Sequence, residues 1–218
     1  MSWLTRSLSS SSGRKLLVAL TGLALVLFLI IHLLDNLMMF GGRAAFNDFA
    51  DSLHAGPLIV IGDVGLSIVF PIHIALVIWL ALDNKKARGG IGYKVQGSKQ
   101  TRGFTAVLAS KWALYGGLLL LGFLVIHVWQ FRLHHEPNHA WEMVTGALRQ
   151  PGWGLLYIVG SLVAGWHIFH GFQAAFRSLG VNHPRYTPMF IAIGAGLSVV
   201  LALGFAFIPV WLLLGGGN

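Results

Sequence analysis

Ten histidines are spread through this 218-residue chain, and four of them lie where an ionisable side chain is costly. His32, His73, His127 and His167 each sit well inside an apolar run, one to a run. An ionisable residue at such depth is expected to serve a function and to have a partner. Imidazole is above all a metal ligand, suited to iron, copper and zinc. Cysteine is absent, which rules out an iron–sulfur cluster, a covalently attached c-type haem and a disulfide. The stretch GGIGYK (residues 89–94) sits in a basic loop without the strand–turn–helix setting of a dinucleotide site, so it reads as linker.

The elements that position these histidines follow from composition. Only 10% of the residues are charged and 56% are hydrophobic, whereas a soluble domain carries roughly 25% charged residues. Five apolar runs, residues 15–40, 57–82, 111–133, 152–176 and 187–214, are each long enough to cross a bilayer, which takes about 20 residues. Helices are expected, because lone strands leave their backbone unsatisfied in lipid and no alternating pattern suggests a barrel. The fold class read from the sequence is therefore all-α: one membrane domain, residues 1–218, built as a bundle of five transmembrane helices. The first run is too long for the core of a cleaved signal peptide and is expected to stay.

Direction follows from the basic residues. Arg6, Arg14 and Lys15 precede the first run. Lys85, Lys86, Arg88, Lys94, Lys99, Arg102 and Lys111 lie between the second and third, and Arg177 and Arg185 between the fourth and fifth. Only Arg43, Arg132 and Arg149 fall on the other side. The asymmetry puts the N-terminus in the cytoplasm and the C-terminus outside. It also accounts for the net charge of +8 as topology, and no nucleic-acid partner is expected.

Counting from the charged edge of each run gives the depth of each histidine. His32 lies 17 residues from Lys15 and His127 lies 16 from Lys111, or about 25 Å at the helical rise. His73 lies 10 residues from Asp83 and His167 lies 10 from Arg177, or about 15 Å. Four histidines thus fall into two layers of two, about 10 Å apart along the membrane normal. A b-type haem with two imidazole ligands needs one histidine from each side at one height. Two such layers would carry electrons between the faces of the bilayer.

His170, three residues after His167, is a rival for the fourth position. His167 is preferred for its depth, and because Gly171 one turn later lets a flat porphyrin approach the helix backbone. A single buried histidine can also serve as a helix–helix hydrogen-bonding residue; it is the matched pairing that points to haem. His54, His134, His135, His139 and His183 read as solvated loop residues.

Several segments then resemble a known family. LIIHLLDN (residues 29–36), FPIHIAL (70–76), VIHVWQFR (125–132) and WHIFHGFQAAFRSLG (166–180) are similar to the four ligand helices of the single-subunit, di-haem cytochrome b558 that anchors succinate dehydrogenases and fumarate reductases. AAFNDFADSL (44–53) is similar too. The resemblance implies a five-helix anchor carrying two haem b, with His32 and His127 on the outer haem and His73 and His167 on the inner one. It implies a flavoprotein subunit and an iron–sulfur subunit docked on the cytoplasmic side of a bacterial-type inner membrane. It also implies a quinone in the membrane, with menaquinone favoured. Some members carry a glutamate two residues before the fourth ligand, used in moving protons; here that residue is Gly165.

Quinone reduction consumes two protons with two electrons, so a site near the outer haem would need proton-exchanging groups. Asp35 and Asp63 are the candidates, against a plain structural role in which Asp35 caps its span or pairs with Arg43 and Asp63 reaches the interface. Arg14, Lys15 and Arg177 are placed for the propionates of the inner haem, and Arg132 or Arg43 for the outer. The competing readings are a haem-free membrane anchor or transporter subunit, and a cytochrome b anchor of another respiratory complex such as a hydrogenase.

Overall fold

In a computed structural model of the chain, residues 10–87, 104–134, 136–181 and 183–217 are described, with the side chains of 104–113 excepted. The linker motif at 89–94, His135 and the basic residues Arg6, Arg88, Lys94, Lys99 and Arg102 lie outside the described residues, as does the side chain of Lys111.

The described residues are helical, with no strand among them. Helix α1, Ser11–Leu37, starts at Ser10, whose hydroxyl accepts from the Gly13 amide at 3.0 Å and so satisfies one of the free N–H groups of the first turn. A 3₁₀ turn, Met38–Gly41, ends it, and Gly42 turns the chain at a φ of 89°, where a side chain would be strained. Then come α2 (Arg43–Ala55), α3 (Pro57–Ala87) and α4 (Phe104–His127). A π-helical turn, Val128–Arg132, continues α4 directly beyond His127. The chain closes with α5 (Ala140–Leu148), α6 (Pro151–Ser178) and α7 (Thr187–Leu213). Proline opens α6 and lies in the first turn of α7, where a missing amide costs nothing.

Five helices are long and apolar enough to cross a membrane: Ser11–Gly41, Pro57–Ala87, Leu114–Arg132, Pro151–Ser178 and Thr187–Leu213. Large apolar side chains such as Leu58, Ile61, Leu119, Leu162 and Leu203 are exposed along them, as a lipid-facing surface requires. Helices α2 and α5 are two shorter helices where the hydropathy shows only connections. His54 consequently sits in the last turn of α2, with Nδ1 at 2.7 Å from the Ala50 carbonyl, rather than in a loop. Both helices are amphipathic, a pattern that a search for long apolar runs passes over.

Packing is uneven. Helices α6 and α7 share the most extensive contact, α1 lies against α6 and α3, and α4 lies against α6. One buried cluster joins Leu33, Ile168 and Leu201 of α1, α6 and α7. A second, built from Met39, Phe46, Trp141, Tyr157, Ile208 and Leu212 among others, closes the end of the bundle that carries α2 and α5. At this capped end the Asn47 amide oxygen accepts from the Trp141 backbone amide at 2.8 Å, and Asp51 accepts from the Asn138 amide at 3.1 Å. Arg43 forms an ion pair with Glu142. The Glu142 carboxyl is held below the ordinary carboxylate range, first by its own backbone N–H, then by the Asn47 amide and Arg43. A depressed value means that the contact persists as the pH falls and is lost only below that value.

Helix α3 has no fully buried residue. It rests on α1 and α2 and is tied to α4 by an ion pair between Asp63 and Arg132. Pro71 lies inside it, two residues before His73, and removes one amide from the ladder. Helices α3 and α4 therefore stand as two walls, with α1 and α6 closing the space between them.

Candidate functional site

That space is a cavity of about 2570 Å³, into which all four deep histidines project. A pocket for one small ligand measures roughly 300–1,000 Å³, so the volume suits more than one large group.

His32 from α1 and His127 from α4 face one another near the capped end, with ring centres 5.8 Å apart and planes at 81°. Two imidazoles that grip one metal ion at about 2 Å each stand roughly 6 Å apart between ring centres, so this couple has the spacing of a bis-imidazole site. Aromatic rings surround it. Phe28 stacks on His32 at 5.2 Å and Phe205 leans against it at 5.6 Å. Phe123, Phe131 and Tyr157 enclose His127 at 5.6–5.8 Å. Tyr157 donates its hydroxyl proton to the Gln130 side chain at 2.9 Å, which ties α6 to the π-helical turn.

His127 Nδ1 is buried without a hydrogen-bond partner among the described residues. An unpaired buried polar atom costs about 1–3 kcal/mol, and a π-helical turn immediately beyond it is a frequent mark of a functional position.

His73 from α3 and His167 from α6 line the cavity farther from the capped end, and glycines from the neighbouring helices give them room. A Cβ added to Gly22 of α1 would stand 3.2 Å from His73 Cε1, and one added to Gly117 of α4 would stand 3.4 Å from His167 Cε1. His73 Nδ1 also lies 2.9 Å from Thr21 Oγ1. The ion pair between Arg14 and Asp83 (2.5 Å) fixes α1 and α3 at a common height. From that level His32 is 18 residues along and His73 only 10, a difference of about 12 Å at the helical rise. The couples therefore occupy separate levels of one cavity. Haem fits the donors of both levels: imidazoles in an apolar cavity, with aromatic rings around His32 and His127 and glycine close to the rings of His73 and His167.

His170 also lines the cavity, so lining alone does not separate it from His167; the close approach of Gly117 to the His167 ring does distinguish the two. Gly171 lines the cavity with nothing within 4 Å of an added Cβ, an open patch of helix backbone beside the fourth histidine.

The cations divide. Lys15 and Arg177 line the cavity, at the end remote from α2 and α5. Arg14 is instead engaged with Asp83 and lies over the Trp79 ring at 4.5 Å. Arg132 lines the cavity, and Arg43 is paired with Glu142.

The two carboxylates also divide. Asp35 and Asp63 both face the cavity at its capped end. Asp63 accepts two hydrogen bonds from Arg132 and is held as an ion. Asp35 does not meet Arg43, and its carboxylate has no hydrogen-bond or ion partner among the described residues.

The histidines of the connections are engaged locally. His134 bonds the Trp129 carbonyl at 2.6 Å and His139 the Pro137 carbonyl at 2.9 Å, while His183 accepts from the Arg185 amide at 3.2 Å. No group of three or more histidine, aspartate or glutamate side chains arranged for a bare metal ion occurs among the described residues.

Sequence reasoning did not single out Thr21, Gly22 or Gly117. For the glycines a signal was present. Each stands ten residues before the deep histidine of its own span, Gly22 before His32 and Gly117 before His127, where it meets the ring of the other layer. No family model matches the chain, and neither characterised proteins nor solved structures yield a match.

Proposed function

We propose that the chain is a membrane cytochrome b, holding two b-type haems between paired histidines. The observation that carries this reading is that four imidazoles from four spans line one cavity, His32 and His127 facing one another and His73 and His167 each lying against a glycine of a neighbouring span. His32 and His127 would hold one haem, and His73 and His167 the other. Lys15 and Arg177 lie at the right end of the cavity for the carboxylates of the second. When bound with both axial positions filled, such a group passes single electrons and offers oxygen no open site.

More particularly, the chain is read as the single-subunit anchor of a succinate:quinone oxidoreductase, a succinate dehydrogenase or fumarate reductase. The motifs around the four histidines support this. In that assignment the N-terminus is cytoplasmic, the C-terminus lies outside, and the membrane is a bacterial-type inner membrane. A flavoprotein subunit and an iron–sulfur subunit dock at the basic, cytoplasmic end, and the succinate site belongs to them. The quinone, menaquinone by resemblance, exchanges electrons in the membrane.

The chain's own groups have distinct tasks in this reading. The aromatic rings around His32 and His127 exclude water from that couple. Arg132 keeps Asp63 ionised, which makes Asp63 a structural anion. Asp35, facing the cavity and without a side-chain partner among the described residues, is the group left to exchange protons with a quinone. Asp35→Asn is expected to slow succinate–quinone turnover about tenfold with haem content unchanged, because water at this half-exposed site replaces part of what a positioned acid supplies. An equal loss in Asp63→Asn would remove the distinction between the two carboxylates.

The test of the whole reading is purification of the chain with its partner subunits. Two low-spin b haems per chain, visible in the reduced-minus-oxidised spectrum, are expected together with flavin and succinate–quinone activity. A colourless chain makes it a haem-free anchor. A haem-bearing chain without flavin assigns it to another respiratory complex, such as a hydrogenase.

A further inference from the structure

Thr21 faces His73 from the neighbouring helix. Its Oγ1 lies 2.9 Å from His73 Nδ1, 2.7 Å from the Leu17 carbonyl oxygen and 3.1 Å from the Val18 carbonyl oxygen. A hydroxyl has one proton to give and lone pairs to receive others. Both carbonyls can only accept, so the hydroxyl proton goes to the helix backbone, to the nearer Leu17 oxygen. With its proton so placed, the hydroxyl oxygen is free to accept from the ring, which then carries its hydrogen on Nδ1. That leaves Nε2 with a bare lone pair, the form in which imidazole binds a metal.

We infer that Thr21 is the positioning residue of His73: it selects the tautomer and fixes the ring rotation that present Nε2 to the haem iron. This rests on the reading of the chain as a bis-histidine cytochrome. Gly22, the next residue, acts with it. The His73 ring lies so near the α1 backbone that a Cβ on Gly22 would reach 3.2 Å from its Cε1. A hydrogen bond at one edge of the ring and close backbone at another leave it little freedom to turn. The other layer is arranged differently: His127 Nδ1 has no partner among the described residues, and the group nearest His32 Nδ1 is the Asn36 amide nitrogen at 3.4 Å.

Accepting the Nδ1 hydrogen makes the ligating nitrogen a stronger donor, which favours ferric over ferrous iron. Thr21→Val keeps the shape and removes the hydroxyl acceptor, leaving only the Val18 carbonyl beside the ring; Thr21→Ser keeps the hydroxyl and removes the methyl group.

The experiment is a redox titration of haem absorbance in the assembled complex, with low-temperature electron paramagnetic resonance of the oxidised protein. In Thr21→Val one of the two midpoint potentials is expected to rise by about 59 mV, a tenfold fall in the ferric-to-ferrous ratio at a fixed ambient potential for one electron. The resonance signal of the same haem should shift, and the other haem serves as an internal control. Thr21→Ser restores the wild-type potential. Loss of one haem in Thr21→Val, with recovery in Thr21→Ser, supports the assignment equally. Unchanged potentials, equal movement of both, or loss of haem that serine does not rescue overturns it. Absence of haem from the wild-type chain sinks the cytochrome reading itself, a result separate from any of these.

Discussion

In His73→Ala the assembled complex is expected to keep one haem of two. In the proposed cytochrome an axial imidazole would be one of only two bonds from the protein to the iron, and alanine offers nothing in its place. His167→Ala should give the same half-loss, because the two residues form one couple. His32→Ala and His127→Ala should remove the other haem instead. The halves are separable because the couples stand about 12 Å apart in height by the helical rise, with different walls around them: Phe123, Phe131 and Tyr157 at one level, Thr21 and Gly22 at the other. The checks are haem quantified per chain by absorbance and succinate oxidation followed with a soluble dye. The dye reaction should survive in all four variants, since in the proposed complex it would need only the partner subunits. A full spectrum from any one variant takes that histidine out of the ligand set, and His170→Ala should leave both haems in place.

The second large effect is expected where no ligand is involved. Gly165 lies in the contact between α6 and α7, and a Cβ there would come 2.5 Å from Ala202 Cβ and 2.9 Å from the Ser198 carbonyl oxygen. One of those neighbours is backbone and the other is the first atom of a side chain, so neither can swing aside. Gly165→Ala should therefore cost about 1–3 kcal/mol by overpacking, read as a lower Tm of the detergent-solubilised protein. Gly165→Glu should prevent stable assembly, since it adds to the clash a carboxylate at a helix contact within lipid, worth about 2.5–3.5 kcal/mol even when inserted alone. A Gly165→Glu protein with wild-type Tm and haem content would show that these helices do not meet at that point. The same geometry bears on the glutamate that some cytochromes of the resembled family carry at this place. In this chain the position looks toward α7, and a proton-carrying side chain does not fit there.

The sequence made the five spans legible because membrane crossing demands long, nearly uncharged runs. The four deep histidines stood out against that background for the same reason. Their arrangement was less legible. Charged residues mark the edge of a span only loosely, since lysine and arginine reach several ångströms to find water; the Arg14–Asp83 pair gives a firmer ruler. Helices α2 and α5 were hidden because an amphipathic segment of 13 or 9 residues has no long apolar run. Thr21 was hidden for a different reason. A threonine in an apolar helix usually bonds its own backbone, as this one does with Leu17, and only the three-dimensional placement of His73 reveals its second partner. Asp35 and Asp63 looked alike as isolated acids, until the fold brought Arg132 to one and left the other without a side-chain partner among the described residues.

Helix α3 leans on α1 and α2 and is joined to the π-helical turn beyond α4 by the Asp63–Arg132 ion pair, while α1, α6 and α7 are knit together by buried side chains. The molecule is thus a fixed back with a hinged front panel. A flat, bulky cofactor need not be threaded through the capped end or be present when the chain is made. In the proposed cytochrome it could slip in edgewise from among the lipid tails once every span is in place, and a bond to His73 would then fasten the panel to the rest of the bundle.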